Sequence, residues 1–316
     1  MTASLDRNSL LALVGPTAVG KTALSLHLAE RLDGEIVSAD SRLLYRGMDV
    51  GTAKPTPKER ARVPHHLIDI AAPDETVGLA EFQEQAYAAI DDIHARDKLP
   101  LLVGGTGQYV RAVVEGWRIP RVSPDYDLRA ELEAQAEREG AGALHDWLAR
   151  LDPVAARRIH PHNVRRIVRA LEVCTVTGRP ISEQQGKRPP PYRILQIGLT
   201  MEREALYARA DRRTEAMMDA GLAGEVRQLV EAGYRWELPA MSGLGYVQFK
   251  PHFEEEMSLE EVAVEIKGAT HSFIRRQYNW FSLDDPAIRW FDVTETTAAK
   301  IEAVVREWLG KQGANQ

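Results

Sequence analysis

Residues 15–22 read G-P-T-A-V-G-K-T. Gly15, Pro16, Thr17, Ala18, Val19 and Gly20 make a turn rich in main-chain N–H donors, Lys21 adds an ammonium, and Thr22 adds a hydroxyl suited to Mg²⁺. The turn follows an apolar run at 10–14 and opens an Ala- and Leu-rich stretch at 23–32. A strand feeding such a turn into a helix N-terminus gathers backbone N–H groups, a helix dipole and Lys21 around one anion, so a diphosphate or polyphosphate is the expected ligand. Whether the phosphates are cleaved, transferred or discarded stays open, because kinases, hydrolases and other transferases share this loop.

A second chemical group follows at once. Residues 35–40 read E-I-V-S-A-D, an apolar strand ending in a carboxylate, and strand ends on that edge of an α/β sheet face the bound phosphates. Asp40 is expected there as a general base or metal-shell carboxylate, against the plainer reading of a helix N-cap. The bunching of Ser38, Asp40, Ser41 and Tyr45 before the polar loop 47–54 favours function, that loop having no evident structural need for so much side-chain chemistry. A further strand, 99–103, ends not in a carboxylate but in Gly104-Gly105-Thr106-Gly107, an edge that admits close backbone approach and offers one hydroxyl to a ligand. Asp69 is a metal-shell candidate, with a structural carboxylate as the equal alternative.

These groups must be carried by strands at 10–14, 35–39, 66–70, 99–103 and 193–199, separated by helices at 21–31, 79–96 and 108–115. The alternation predicts a parallel α/β sheet. From about 120 to 191 the strand pattern gives way to charged helices at 126–139, 143–150, 153–159 and 163–177, punctuated by Gly and Pro. Helices at 203–220, 223–232 and 259–281, a strand at 288–291 and a helix at 298–309 complete the chain. Three segments follow: core, 1–119; a helical insertion, 120–191; and a mostly helical return to the core, 192–316. The ends, 1–8 and 310–316, are polar and unpatterned.

The 316 residues are 44% hydrophobic, enough for one α/β core and a smaller unit. No apolar run approaches membrane-spanning length, no secretory leader is visible, and the single cysteine, Cys174, reads as a small buried residue. A cytoplasmic, monomeric protein with no membrane partner is expected. Net charge is −6, yet residues 151–193 hold nine cations against three anions, a local balance of +6. Such a basic face is a place for phosphates.

The phosphate loop, S-A-D-S…Y-R-G-M-D-V-G-T-A-K-P (38–55), V-P-H-H-L-I-D (63–69), V-G-G-T-G-Q-Y (103–109), R-I-H-P…R-R-I-V-R-A-L-E-V (158–173) and G-L…E-V (221–226) resemble the tRNA dimethylallyltransferase, or tRNA isopentenyltransferase, family. With Gly245-Tyr246…Gln248 and Arg275-Arg276-Gln277…Trp280, the resemblance runs from about 10 to 281. It implies a P-loop NTPase-like parallel core with a helical insertion, and transfer of the dimethylallyl group of dimethylallyl diphosphate to N6 of the adenosine 3′-adjacent to the anticodon. The loop, Lys21 and Mg²⁺ at Thr22 would hold the departing diphosphate, and Asp40 would accept the amine proton. Asp40, Lys21 and Thr106 are thus the implied catalytic residues. Asp40, Ser41, Arg42 and Leu43, then Thr106, Arg129, Arg165, Arg166, Ile167, Val168 and Arg169, match stretches that contact the tRNA anticodon stem-loop, while Arg213 and Arg276 are weaker candidates for the diphosphate or the tRNA backbone.

Four positions depart from the family pattern: Leu43 for Gln, Gln108 for an apolar residue, Arg165 for Gln and Val247 for Arg. Gln108 could restore an amide lost at Leu43. Three alternatives compete: the same chemistry on free AMP, ADP or ATP, which needs no basic insertion; a P-loop kinase, which would want a second carboxylate-ended strand; and a non-enzymatic RNA-binding module, which would leave Asp40 dispensable.

Overall fold

A computed structural model describes residues 8–311. The unpatterned ends lie outside the described residues except at Asn8, which bonds Arg193, and at Gly310 and Lys311, which close the last helix. The described chain forms two compact units, 115–190 and the remainder.

The larger unit is built on a six-stranded sheet of β1 (Ser9–Val14), β2 (Gly34–Ser38), β3 (His65–His66), β4 (Leu99–Val103), β7 (Arg193–Thr200) and β8 (Ile288–Asp292), in the order β3-β2-β4-β1-β7-β8. Every pairing is parallel. β1 lies inside the sheet and is buried throughout, as its unbroken S-L-L-A-L-V requires of a strand covered on both faces. Leu11 and Leu13 join one apolar cluster with α1 (Lys21–Leu32), α10 (Arg203–Asp219) and α14 (Ala298–Gly310). Leu10, Ala12 and Val14 join another with α3 (Leu79–Ala95) and α4 (Gly107–Val114). Phe82, Ala86, Ile90 and Ile93 form the buried face of α3, as their spacing predicts.

A third cluster gathers Met48, α11 (Leu222–Glu231), Tyr246, Phe249 and the start of α13 (Leu259–Trp280), a helix opened by the Ser258–Glu261 capping box. Two short helices, α2 (Pro57–Arg62) and α12 (Lys250–Phe253), are too brief to leave an apolar period in the sequence. The strand expected at 66–70 is cut to His65–His66. Leu67 and Asp69 take positive φ (60° and 59°), so the chain leaves the extended region there.

The smaller unit packs α5 (Tyr126–Glu139), α6 (Ala141–Leu151), α7 (Pro153–Arg158), α8 (Val164–Thr177) and α9 (Ile181–Gln184) around Leu132, Leu144, Leu148, Ile167 and Leu171. A two-stranded antiparallel pair, β5 (Trp117–Arg118) and β6 (Gly186–Lys187), joins its ends. Cys174 is buried within this core.

Candidate active site

The loop after β1 enters α1 through Gly20, and no side chain caps the helix, so the N–H groups of its first turn are left for a ligand or water. A cavity of about 350 Å³ lies against them, lined by Thr17, Ala18, Gly20, Lys21 and Thr22 together with Asp40, Arg209 and Arg213. Gly15, Pro16 and Val19 do not line it. The carbonyls of Gly15 and Pro16 accept hydrogen bonds from Lys21 Nζ at 2.9 and 2.8 Å, and Val19 is wholly buried in the core. These three residues shape the loop, and the main-chain N–H of Thr17 is also engaged, donating to Gln277 Oε1 at 2.8 Å.

Burial pushes the Lys21 ammonium down to about 8, against the opposing pull of the Asp40 carboxylate and with a further push from Arg213. Arg213 is lowered by burial as well, with Asp40 again raising it and Arg209 lowering it. Three cations, Lys21, Arg209 and Arg213, and two carboxylates, Asp40 and Glu59, therefore line the pocket, a net positive field that favours an anion. Arg209, absent from the sequence reading, stands one helical turn before Arg213, and that spacing on an amphipathic helix was the available signal.

A second cavity of about 490 Å³ is lined by Ser41, Arg42, Thr106, Gly107, Gln108, Ser242 and Trp280 among others, and shares Thr17, Ala18, Asp40, Thr52, Arg213, Phe273 and Gln277 with the first. Asp40 stands where the two meet. Its Oδ1 accepts the Arg42 N–H at 2.9 Å, and the next residue, Ser41, donates its N–H to Thr106 Oγ1 at 3.1 Å. β2 and β4 are also locked together at their ends, Ala39 N–H donating to Val103 O at 2.8 Å. Gly104 is required there because a Cβ would collide with the Ala39 carbonyl. The close approach anticipated for the two glycines is thus to protein, Gly104 to Ala39 and Gly105 to Gln277, while Gly105, Thr106 and Gly107 still border the cavity. Ala210, Met217, Leu244, Val247, Ile266 and Phe273 give the larger cavity an apolar wall.

Leu43 lines the smaller cavity and Gln108 the larger, the two cavities meeting at Asp40. Arg42 Nη1 donates to Pro239 O at 2.6 Å, and Arg276 lies 5.9 Å from the Phe273 ring on the wall of the larger cavity.

The polar loop 47–54 has structural work after all, which corrects the inference drawn from its side chains. Lys54 is buried and donates to Tyr45 O at 2.8 Å and to the carboxylates of Asp49 and Asp69, both at 2.5 Å. Asp69 also accepts from Arg60 at 2.6 Å. Burial, the largest single influence, raises its carboxyl, but the two cations outweigh it and hold the group below its usual range; with Oδ1 on Lys54 and Oδ2 on Arg60, Asp69 has a structural role. On the other side of the loop, Glu225 accepts the N–H groups of Asp49, Val50 and Gly51 at 2.8, 2.7 and 3.0 Å.

In the smaller unit Glu172 is fully buried and accepts from Arg129 Nε at 2.8 Å, Arg169 Nη1 at 2.5 Å and Asp125 N at 2.8 Å. Arg129 and Arg169 are therefore engaged inside the unit. Ile167 and Val168, 0% and 3% exposed, belong to its core, which removes their side chains from any RNA contact. Arg165 and Arg166 are exposed. Among the described residues no group of three or more His, Cys, Asp or Glu could hold a metal, and no helix is long and apolar enough to cross a membrane. Thr22 and Asp40 border the anion pocket, a donor set that suits Mg²⁺ bound chiefly through phosphate oxygens and water.

An α/β enzyme with a cationic pocket at the carboxyl edge of a parallel sheet, beside a carboxylate shared with a second cavity, is the class that this fold and site define. The model of the family described as IPP transferase matches residues 43–284. The tRNA dimethylallyltransferase of Roseiflexus castenholzii is 64% identical over 272 residues, which cover 86% of this chain and 89% of that protein. The crystal structure of the full-length tRNA isopentenylpyrophosphate transferase from Bacillus halodurans superposes with a TM-score of 0.71 at 42% identity, covering 96% of this chain and 97% of that one. A eukaryotic dimethylallyltransferase, solved in snapshots acting on tRNA, gives a TM-score of 0.82 at 25% identity over 98% of this chain and 81% of its own. The chain belongs to the IPP transferase family.

Proposed function

We propose that this protein transfers the dimethylallyl group of dimethylallyl diphosphate to N6 of the adenosine 3′-adjacent to the anticodon in tRNA, releasing diphosphate, on a P-loop NTPase-like core. The observation that carries this reading is the position of Asp40, which borders both the cationic pocket and the larger cavity. A donor with its diphosphate against α1 would direct its allylic carbon toward Asp40. Its five-carbon chain would meet the apolar wall that includes Phe273 and Met217.

As the allylic C–O bond breaks, its electron pair passes to the diphosphate oxygen, where Lys21, Arg209, Arg213 and the first N–H groups of α1 offset the added charge. The N6 lone pair forms the new bond to carbon, and the N6 proton goes to the Asp40 carboxylate. The amine becomes acidic only as that bond forms, so positioning is the main contribution of the carboxylate. Thr106 supports this by fixing the Ser41 N–H beside Asp40. Thr22 would hold Mg²⁺, which would supply further positive charge to the leaving group when bound.

A base stacked in an anticodon loop must be extruded to reach such a cavity, which costs a few kcal/mol offset by phosphate and stacking contacts elsewhere. The exposed Arg165 and Arg166 of the insertion, with Arg157, Arg158 and Arg188, are suited to those contacts. Incubation with labelled dimethylallyl diphosphate and, in parallel, bulk tRNA, AMP and ATP tests the proposal. Label is expected in tRNA at an adenosine N6. Label in the free nucleotides alone would assign the enzyme to the adenylate-modifying chemistry instead.

A further inference from the structure

Gln277 is 3% exposed, lies on α13 and borders both cavities. Its side-chain amide uses both ends. Oε1 accepts the Thr17 N–H at 2.8 Å, and Nε2 donates to the Gly105 carbonyl at 3.0 Å. One planar group therefore ties the phosphate loop after β1 to the glycine edge after β4. Gly105 has no room for a Cβ, which would strike Nε2, so the backbone of that edge is shaped to seat this amide.

The edge continues into the catalytic side of the site. Thr106 follows Gly105 directly and accepts the Ser41 N–H, and Ser41 follows Asp40. A chain of fixed contacts thus runs from the leaving-group loop through Gln277, Gly105 and Thr106 to the segment holding the carboxylate. We propose that Gln277 is a positioning residue for prenyl transfer: its amide sets the phosphate loop and the Asp40–Thr106 edge in register, so that the donor carbon and the acceptor amine meet in line. The inference rests on the reaction proposed above and adds a residue acting on alignment, which differs from holding the diphosphate.

The bond to Thr17 gives the proposal a signature that general damage lacks. The Thr17 N–H donates to Gln277, so deleting the amide releases a main-chain donor beside a bound diphosphate. Alignment lost by a fraction of an ångström costs rate steeply, on the order of 100-fold for a displacement of about 1 Å.

Two variants test this. Gln277→Met keeps the length and removes both hydrogen bonds, and Gly105→Ala leaves Gln277 in place but drives its amide away from the carbonyl. Each is assayed by single-turnover transfer from dimethylallyl diphosphate to tRNA and by calorimetric titration with inorganic diphosphate and Mg²⁺, with a melting curve to select the folded protein. The expected result is a rate lowered roughly 10- to 100-fold, with diphosphate affinity unchanged or tighter. An unaltered rate in either folded variant overturns the proposal, as does a diphosphate affinity that falls in step with the rate, which would place Gln277 in the anion cradle. Wild-type transfer measured alongside separates the two readings, since its absence defeats the proposed reaction, whereas wild-type activity matched by the variants defeats only the role of Gln277.

Discussion

The carboxylate of Glu225 and the hydroxyl of Tyr246 are joined by a 2.7 Å hydrogen bond directly behind the wall of the active-site cavity. Beside the phenol, the same carboxylate takes three successive backbone N–H groups from the loop that supplies Gly51 and Thr52 to that wall. An anion in a nest of amides is a compact way to fix a turn. Glu225→Ala should lower stability by about 2–3 kcal/mol, the scale for losing hydrogen bonds to a charged group. Urea unfolding with a loss below about 0.5 kcal/mol would show that water replaces the carboxylate freely.

Asp40→Asn keeps the shape of the junction and removes its proton acceptor. Turnover should fall about 100-fold or more with tRNA affinity nearly intact, as expected for a general base. Retained turnover would take Asp40 out of the mechanism and leave the protein nearer to a binding module.

The arginines of the insertion divide into two kinds, and they should respond differently. Arg165→Ala or Arg166→Ala removes an exposed cation, so tRNA binding should weaken and the slope of its salt dependence should drop by about 1. Arg129→Ala instead strips one partner from the buried Glu172 carboxylate. With Arg169 still paired, the expected loss is about 2–3 kcal/mol, short of the roughly 3–5 kcal/mol for a fully orphaned buried charge. Hydrogen exchange in α5 and α8 would report it, and protection equal to wild type would contradict it.

Lys21 supplies a pH dependence with a definite sign. Its folded-state pKa is lowered to about 8, so the ammonium is retained below that pH and lost as pH rises through it. kcat/KM for dimethylallyl diphosphate should therefore decline above about pH 8, because this parameter reports ionisations of the free enzyme. Lys21→Arg, which stays charged, should move the descending limb upward whatever its effect on the plateau; a limb that does not move would point to another group.

What the sequence disclosed depended on whether the signal was local. β1 and the loop after it were legible because an apolar run, two glycines and a Lys-Thr pair adjoin one another, and the helices of the insertion because their breakers are Gly and Pro. Asp40 was legible as the carboxylate ending an apolar strand. Glu225, by contrast, meets residues 49–51 across a separation of some 175 positions, and nothing in either stretch announces the contact. Asp69 was ambiguous for the same reason, since its role is settled by Lys54 and Arg60. Ile167 and Val168 sit between arginines in a stretch read by resemblance as RNA-contacting, but helical periodicity turns them inward.

The backbone-on-backbone seam between Gly104 and Ala39 has a consequence for how this enzyme can diversify. With no side chain interposed between those strand ends, residue exchange there has no spacer to lengthen or shorten. Room for a longer or shorter isoprenoid would then come from the apolar residues lining the larger cavity, Met217 of α10 and Ile266 of α13 among them.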